Sequence, residues 1–237
     1  MHNIMRDLVV VAMVLAPAAP GCDARTCGLP DVKLCKGTMG CWNPLATRLE
    51  TAIIDDECDG LLDLSGTALK DPGCVILGKA LVETTRITSL NLFQSSVGDD
   101  CAVAIASAMD SPGTKLRAVN LAWNRLGKRG TQALARAIAG PTSRVEDLNL
   151  YGNYLGNAEA KMLASALASK NTRITTLHVE QNSIGNAGAM ALARAIRTSP
   201  NCKLTAISFG RDQLSAEVID KLEGAAVLRA APQKDEL

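Results

Sequence analysis

The stretch LRAVNLAWNRLG, residues 116–127, returns in related form 29 residues later as VEDLNLYGNYLG, residues 145–156. The same pattern occurs in four other segments: ITSLNLFQSSVG from Ile87, ITTLHVEQNSIG from Ile174, LTAISFGRDQLS from Leu204 and the looser DGLLDLSGTALK from Asp59. Successive copies begin 28, 29, 29, 29 and 30 residues apart. A period held this closely indicates a repeat architecture in which each unit stacks on its neighbours, because no single unit can bury its own apolar side.

Each unit is predicted to be a short strand, a turn and a helix. Alternation such as Leu148-Asn149-Leu150 puts apolar side chains on one face of a strand. The ninth position is Asn in three copies, and its side chain can hydrogen-bond backbone groups where the chain leaves the strand. The residues at this position are Asn124, Asn153 and Asn182 in these three copies, and Thr67, Ser95 and Asp212 in the other three. A glycine three positions later suits a tight turn, and an Ala-rich helical segment follows it.

The pattern L-x-x-L-x-L-x-x-N-x-L over residues 59–228 resembles that of leucine-rich-repeat proteins. The unit length and the Ala-rich helices resemble the ribonuclease-inhibitor-like class of that family. The resemblance implies an α/β fold, a right-handed solenoid shaped as a horseshoe arc of about six strand–helix repeats. Because an open solenoid end would expose apolar side chains, we expect a Cys-rich N-terminal cap at residues 19–58 and a closing helix near Val218.

Residues 1–18 have the features of a secretory signal peptide. Arg6 precedes an apolar run of nine residues from Leu8 to Ala16, which is shorter than the roughly 20 residues that span a bilayer. Cleavage after Ala18 is preferred, with cleavage after residue 21 or 24 as alternatives. A buried N-terminal helix and a lipid-modified Cys22 are the competing interpretations. The predicted mature protein has no membrane span.

The tail, residues 229–237, ends in Lys234-Asp235-Glu236-Leu237. This sequence is typical of the retrieval signal of soluble endoplasmic-reticulum residents, which is recognised by a receptor and does not anchor the protein. Together with the signal peptide it predicts a protein of the endoplasmic-reticulum lumen whose C-terminus binds the retrieval receptor.

Cysteines crowd the first third of the chain, at Cys22, Cys27, Cys35, Cys41, Cys58 and Cys74. In an oxidising compartment this crowding is typical of disulfides that hold a small cap. Six cysteines allow 15 pairings, and the sequence does not choose among them. Cys74 and Cys101 fall at nearby positions on successive predicted helices, so they too can lie close together.

We find no motif in the sequence that is typical of catalysis or of metal binding. His2 lies in the predicted signal peptide, and His178 with Glu180 supplies only two of the three or four ligands that a metal site usually needs. The chain has no nucleophile elbow, phosphate-binding loop or Cys-x-x-Cys pair. The formal net charge of +1, without a basic cluster, argues against nucleic-acid binding. We therefore expect no enzyme activity, no cofactor and no metal.

A protein partner is the expected ligand. In the leucine-rich-repeat family the concave face of the strands is the usual binding surface, which implies a candidate surface of outward-pointing residues: Phe93, Trp123, Tyr151, His178, Glu180 and Arg211. Aromatic side chains among polar ones are typical of binding hot spots, although local packing between strands is the alternative. The sequence predicts an adaptor or inhibitor, or else a folding accessory that binds unfolded or assembling clients.

Overall fold

The computed structural model describes residues 60–67, 69–83, 87–210 and 214–223, in which strands and helices alternate. The strands are β1 (Leu61–Asp63), β2 (Ser89–Asn91), β3 (Ala118–Asn120), β4 (Asp147–Asn149), β5 (Thr176–His178) and β6 (Ala206–Ser208). The helices are α1 (Lys70–Glu83), α2 (Asp99–Met109), α3 (Lys128–Ala139), α4 (Asn157–Leu167), α5 (Asn186–Thr198) and α6 (Ala216–Glu223). The predicted closing helix is confirmed as α6.

The six strands form one open parallel sheet in chain order, so every unit pairs with the units before and after it. The register places equivalent positions side by side; Leu90 pairs with Val119, and Val119 pairs with Leu148. Successive helices pack against each other in the same order. The predicted α/β solenoid of six strand–helix units is confirmed.

Leucines of the strands and alanines of the helices build one continuous core. Leu92, Leu121 and Leu150 are fully buried, and a buried leucine side chain contributes about 1.5–3 kcal/mol. Buried alanines such as Ala102 and Ala160 keep neighbouring helices close. The low aromatic content is therefore explained by stacking of small and branched side chains, layer upon layer.

The Asn at the ninth position hydrogen-bonds backbone groups, as predicted, and it also links successive units. The Asn153 side-chain amide donates to the Leu121 carbonyl of the preceding unit at 2.9 Å and to the Leu150 carbonyl at 3.1 Å, while its oxygen accepts from the Leu126 N–H at 3.0 Å. Asn124 and Asn182 make equivalent bonds. Each Asn thus satisfies buried backbone groups on both sides of a unit junction.

The first junction is held differently. Ser95 stands where the next three units have Asn, and its hydroxyl donates to the Leu64 carbonyl at 2.7 Å. Cys74 of α1 and Cys101 of α2 form a disulfide across the same junction, with both side chains fully buried. The predicted proximity of these two cysteines is confirmed.

The glycines that precede the helices have ordinary extended backbone. Gly98, Gly127, Gly156 and Gly185 are N-caps with φ between −92° and −120°. Hydrogen bonds from the preceding unit reach two of them: the Gly127 N–H donates to Asp99 Oδ1, and the Gly185 N–H donates to Asn157 Oδ1. The turn that requires a positive φ lies four residues earlier.

Several sequence predictions fall outside the described residues. They are the signal peptide at 1–18, the Cys-rich cap at 19–58, Arg211, and the tail at 229–237 with Lys234, Asp235, Glu236 and Leu237. Among the described helices, none is long and apolar enough to cross a membrane.

Candidate partner-binding surface

The polar side chains at the fifth position of each unit have a structural role that the sequence analysis did not foresee. The Asn149 side-chain oxygen accepts a hydrogen bond from the Tyr151 N–H at 3.0 Å, and Asn91 does the same for the Phe93 N–H at 3.1 Å. His178, at the same position, shares a 2.7 Å hydrogen bond between its Nδ1 and the Ser208 hydroxyl. The Asn side chains therefore fix the turn that presents the seventh and eighth positions, whereas His178 links β5 to β6.

The environment of Asp147 changes the pKa of its carboxyl. By register it lies between Ala118 of β3 and Thr176 of β5. Desolvation by its neighbours raises the pKa of the Asp147 carboxyl, and the nearby His178 lowers it by a smaller amount. Asp147 nevertheless keeps an exposed surface.

The eighth position has a left-handed backbone in five successive units. Two of these residues are glycines, Gly66 at φ +68° and Gly152 at φ +64°, for which the conformation carries no steric penalty. Trp123 adopts it at φ +54°. For a bulky residue this conformation costs roughly 1–2 kcal/mol. The repeat thus requires this backbone conformation at the eighth position, but it does not require a bulky side chain there, since two of the five units have glycine.

The indole of Trp123 is held in place by its neighbours and is still accessible. A Cβ built on Gly152 would lie 3.0 Å from Trp123 Cδ2, so the missing side chain of Gly152 makes room for the indole. The Tyr151 ring also lies beside the indole, with its centroid 5.6 Å from that of Trp123 and the planes tilted by 53°. Even so, 45% of Trp123 is exposed. Both expected features, packing and exposure, are present in one side chain.

Trp123 faces an open groove of about 540 Å³ at the carboxyl ends of β2 to β5. The lining residues come from four consecutive units: Gln94, Ser96, Trp123, Asn124, Arg125, Gly152, Asn153, Tyr154 and Gln181. We call these nine residues the edge groove. Tyr154 is 69% exposed and, with Trp123, makes the groove rich in aromatic surface.

Backbone hydrogen bonds hold the groove's tenth-position residues rigidly. The Arg125 N–H donates to the Val97 carbonyl of the preceding unit at 2.9 Å, and the Tyr154 N–H donates to the Leu126 carbonyl of the preceding unit at 3.1 Å. Asn124 and Asn153 in the groove floor are committed to the junction bonds described above. Trp123, Arg125 and Tyr154 are thus displayed from a fixed backbone, which limits the ordering entropy that a partner must offset.

The site residues predicted from the sequence differ in their exposure to solvent. Trp123 is exposed and lines the edge groove, whereas Phe93 and Tyr151 are half-buried instead of largely exposed. His178 is half-buried and bonded to Ser208. The expectation that Glu180 points outward is wrong, because its side chain is buried. One Glu180 carboxylate oxygen, Oε2, has no hydrogen-bond partner within the described ranges.

Sequence reasoning missed Tyr154 and Arg125. Both occupy the tenth position, which follows the Asn and which the strand alternation does not assign to either face. The signal that could have found Tyr154 was its large aromatic side chain at a position that is Ser in two other units, Ser96 and Ser183. Across residues 60–67, 69–83, 87–210 and 214–223, no three His, Cys, Asp or Glu residues are grouped to hold a metal ion.

Two segments of the chain match a known family model. Residues 114–135 and 170–193 match the family model described as Leucine Rich repeat. Among solved structures, the chain is similar to "Leiomodin-1 Actin-Binding Site 2 (ABS2)", with 16% sequence identity, a TM-score of 0.49, and coverage of 78% of this chain and 88% of that one. No curated protein matches the chain in sequence. The six units form a leucine-rich-repeat type of solenoid.

Proposed function

We propose that this protein is a protein-binding leucine-rich-repeat module whose partner docks at the edge groove. The observation that carries the proposal is Trp123, which is strained, rigidly packed and yet 45% exposed beside Tyr154. At this left-handed position two other units have glycine and two have glutamine, so a bulky indole on strained backbone points to a role beyond packing. Aromatic residues fixed in a groove are the usual anchors of a protein interface.

The proposed role is binding, as an adaptor or inhibitor, and not catalysis. The leucine-rich-repeat fold is typically a scaffold for recognition, and its stacked units offer an extended surface to a partner. A folding accessory in the same compartment would use the same groove, but it would take many unfolded clients instead of one folded partner.

We further propose that the protein resides in the endoplasmic-reticulum lumen and is returned there by the retrieval receptor. The support is the apolar segment within residues 1–18, the sequence Lys234-Asp235-Glu236-Leu237, and the Cys74–Cys101 disulfide, which requires an oxidising compartment to persist. Deleting residues 234–237 should send the protein into the medium. Retention of the deletion variant in the cell would contradict this localisation.

The binding proposal is tested by affinity capture from a luminal extract with the wild-type chain and with Tyr154→Ser. Val75→Ser is the matched control, because Val75 is 54% exposed on α1, outside the groove. We expect one folded partner in stoichiometric amount with the wild type and the control, and its loss with Tyr154→Ser. A broad set of unfolded clients would favour the folding accessory, and equal capture by all three proteins would contradict the groove.

A further inference from the structure

We infer that the edge groove receives an extended acidic polypeptide segment, whose carboxylate meets Arg125 while an adjacent apolar side chain lies against Trp123 and Tyr154. This inference rests on the proposed binding function and specifies the chemistry of the partner. It follows from the charge, the hydrogen-bond donors and the length of the groove.

Among the nine residues that line the edge groove, one is charged, and its charge is positive. Arg125 is the only lining residue that is charged at neutral pH, and it makes no hydrogen bond or ion pair through its side chain within the described part of the chain. Two other exposed arginines of the same repeat unit are already paired, Arg129 with Asp100 and Arg117 with Glu146. An approaching carboxylate therefore meets an available guanidinium, which can bind it through two parallel hydrogen bonds.

The remaining polar lining suits a peptide backbone. Gln94 and Gln181 are exposed, and their side-chain amides each offer two N–H donors and one carbonyl acceptor. Peptide groups present the same two functions, one N–H and one C=O per residue. Trp123 and Tyr154, from the two units between those of the glutamines, supply the apolar surface for a side chain of the segment. Amide, aromatic and amide thus follow each other along the groove.

The length of the groove sets the length of the segment. The lining extends from the unit of β2 to the unit of β5, which is three strand spacings, or about 14 Å at about 4.8 Å per spacing. An extended chain covers at most about 3.3–3.6 Å per residue. The groove therefore holds about four extended residues, enough for one carboxylate and one or two apolar side chains.

The contribution of Arg125 should be seen mainly in the association rate. Exposed ion pairs contribute little to equilibrium stability, whereas a complementary charge at the rim of an interface accelerates encounter in a salt-dependent way. The aromatic anchors, in contrast, should govern the dissociation rate, because they are packed and desolvated in the complex. These two effects can be separated in one set of kinetic measurements.

The test uses three pools of fluorescein-labelled octapeptides with the same apolar positions and with Glu, Gln or Lys at the others. Association rates are measured at low and high salt for the full chain and for Arg125→Gln, Trp123→Gly and the control Arg173→Gln. Arg173 is exposed and precedes β5, so the control removes the same charge at the opposite ends of the strands. We expect the Glu pool to associate roughly tenfold faster than the Gln pool at low salt. Arg125→Gln should abolish this difference, and Arg173→Gln should preserve it.

The outcomes distinguish this inference from the function on which it rests. If the Glu pool fails to bind, or binds no faster than the Gln pool, or keeps its advantage in Arg125→Gln, the acidic partner is wrong. In those cases a loss of Gln-pool binding in Trp123→Gly would still support the groove. If every pool binds Trp123→Gly as it binds the wild type, the groove itself is wrong.

Discussion

Trp123 combines a left-handed backbone, at φ +54°, with an indole that covers Gly152 and contacts Tyr151. Replacing it by Ala removes the packing and keeps the strained backbone, because alanine also disfavours this conformation. Replacing it by Gly removes the packing and relieves the strain. At most positions of a folded protein the Ala variant is more stable than the Gly variant. At Trp123 this order of stability should be reversed.

We predict that Trp123→Gly is about 1 kcal/mol more stable than Trp123→Ala. Urea unfolding of both variants measures the difference. Arg125 provides the control, because its backbone φ is not positive. At Arg125 the Ala variant should be more stable than the Gly variant. An Ala variant of Trp123 that equals or exceeds the Gly variant in stability would contradict the strain at this residue.

Asp147 gives the surface a pH dependence whose sign can be stated. Because the folded state raises the pKa of this carboxyl, mainly by desolvation, the folded protein holds this proton more tightly than the unfolded chain does. The contribution of Asp147 to stability is therefore greatest at low pH and declines as the pH rises through the folded-state pKa. Asp147→Asn, which does not titrate, lacks this decline.

We predict that Asp147→Asn gains stability relative to the wild type as the pH is raised from about 3 to about 7, a range that spans the ordinary Asp pKa. Urea unfolding of the two proteins at a series of pH values measures the difference in their free energies of unfolding. A difference that stays constant with pH, or that falls as the pH rises, would contradict the desolvation of this carboxyl.

Some residue-level features could be predicted from the sequence and others could not. The bonding of Asn124, Asn153 and Asn182 was predictable, since a conserved spacing put an amide where backbone groups needed partners. The burial of Glu180 was not, because alternation along a strand assigns a face and says nothing about what lies above it. The strain at Trp123 was equally hidden, although the glycines at the equivalent positions hinted at it.

At the scale of the elements, glycines bring neighbouring helices together. A Cβ added to Gly130 of α3 would lie 2.8 Å from the Ala102 Cβ of α2, and one added to Gly188 of α5 would lie 2.9 Å from the Ala160 Cβ of α4. Both distances are far shorter than ordinary carbon–carbon contact. In a free helix, Gly→Ala stabilises by about 1 kcal/mol, so steric overlap and helix propensity have opposite effects here.

We predict that overlap prevails and that Gly130→Ala and Gly188→Ala each destabilise the protein by about 1–3 kcal/mol. Thermal and urea unfolding measure the loss. Gly98→Ala is the control, because its added methyl meets nothing within 4 Å. It should lose less than about 1 kcal/mol, as an N-cap substitution does. Stabilisation by Gly130→Ala would show that α2 and α3 are packed less tightly than described.

The elements themselves were predictable, because six copies of one pattern predict six copies of one structure. The edge groove was not, since four different units contribute to it through residues of their turns. Periodicity identifies what the units share, namely the core leucines and the junction Asn residues. A binding surface is made of what they do not share, such as Trp123, Arg125 and Tyr154.

At the scale of the whole molecule, the first junction of the solenoid is held by different means from the three junctions that follow it. From the third unit to the fifth, Asn side chains bridge the junctions, as Asn124 does to the Leu92 carbonyl at 2.7 Å. At the first junction a Ser95 hydroxyl and the Cys74–Cys101 disulfide take this role. Because stability in a solenoid depends on the terms between neighbours, loss of the covalent link should be felt first at that end.

We predict that the double variant Cys74→Ala/Cys101→Ala loses about 3.5 kcal/mol of stability, the chain-entropy value for a bond between residues 27 apart. Hydrogen exchange should accelerate in β1 and α1 before it does in β4 and α4. Cys202→Ala is the control, because Cys202 is a half-buried free thiol. Uniform acceleration of exchange over all units would contradict a local role for the disulfide.

The measurement that tests the central claim most directly is a partner titration, with thermal melts, of the wild type and Trp123→Gly. Relief of the left-handed strain should keep this variant folded, within about 1–2 kcal/mol of the wild type. We predict that its partner affinity falls by about 30-fold or more, which corresponds to about 2 kcal/mol for an aromatic hot spot. A folded Trp123→Gly variant that binds the partner as tightly as the wild type would contradict the edge groove as the binding site.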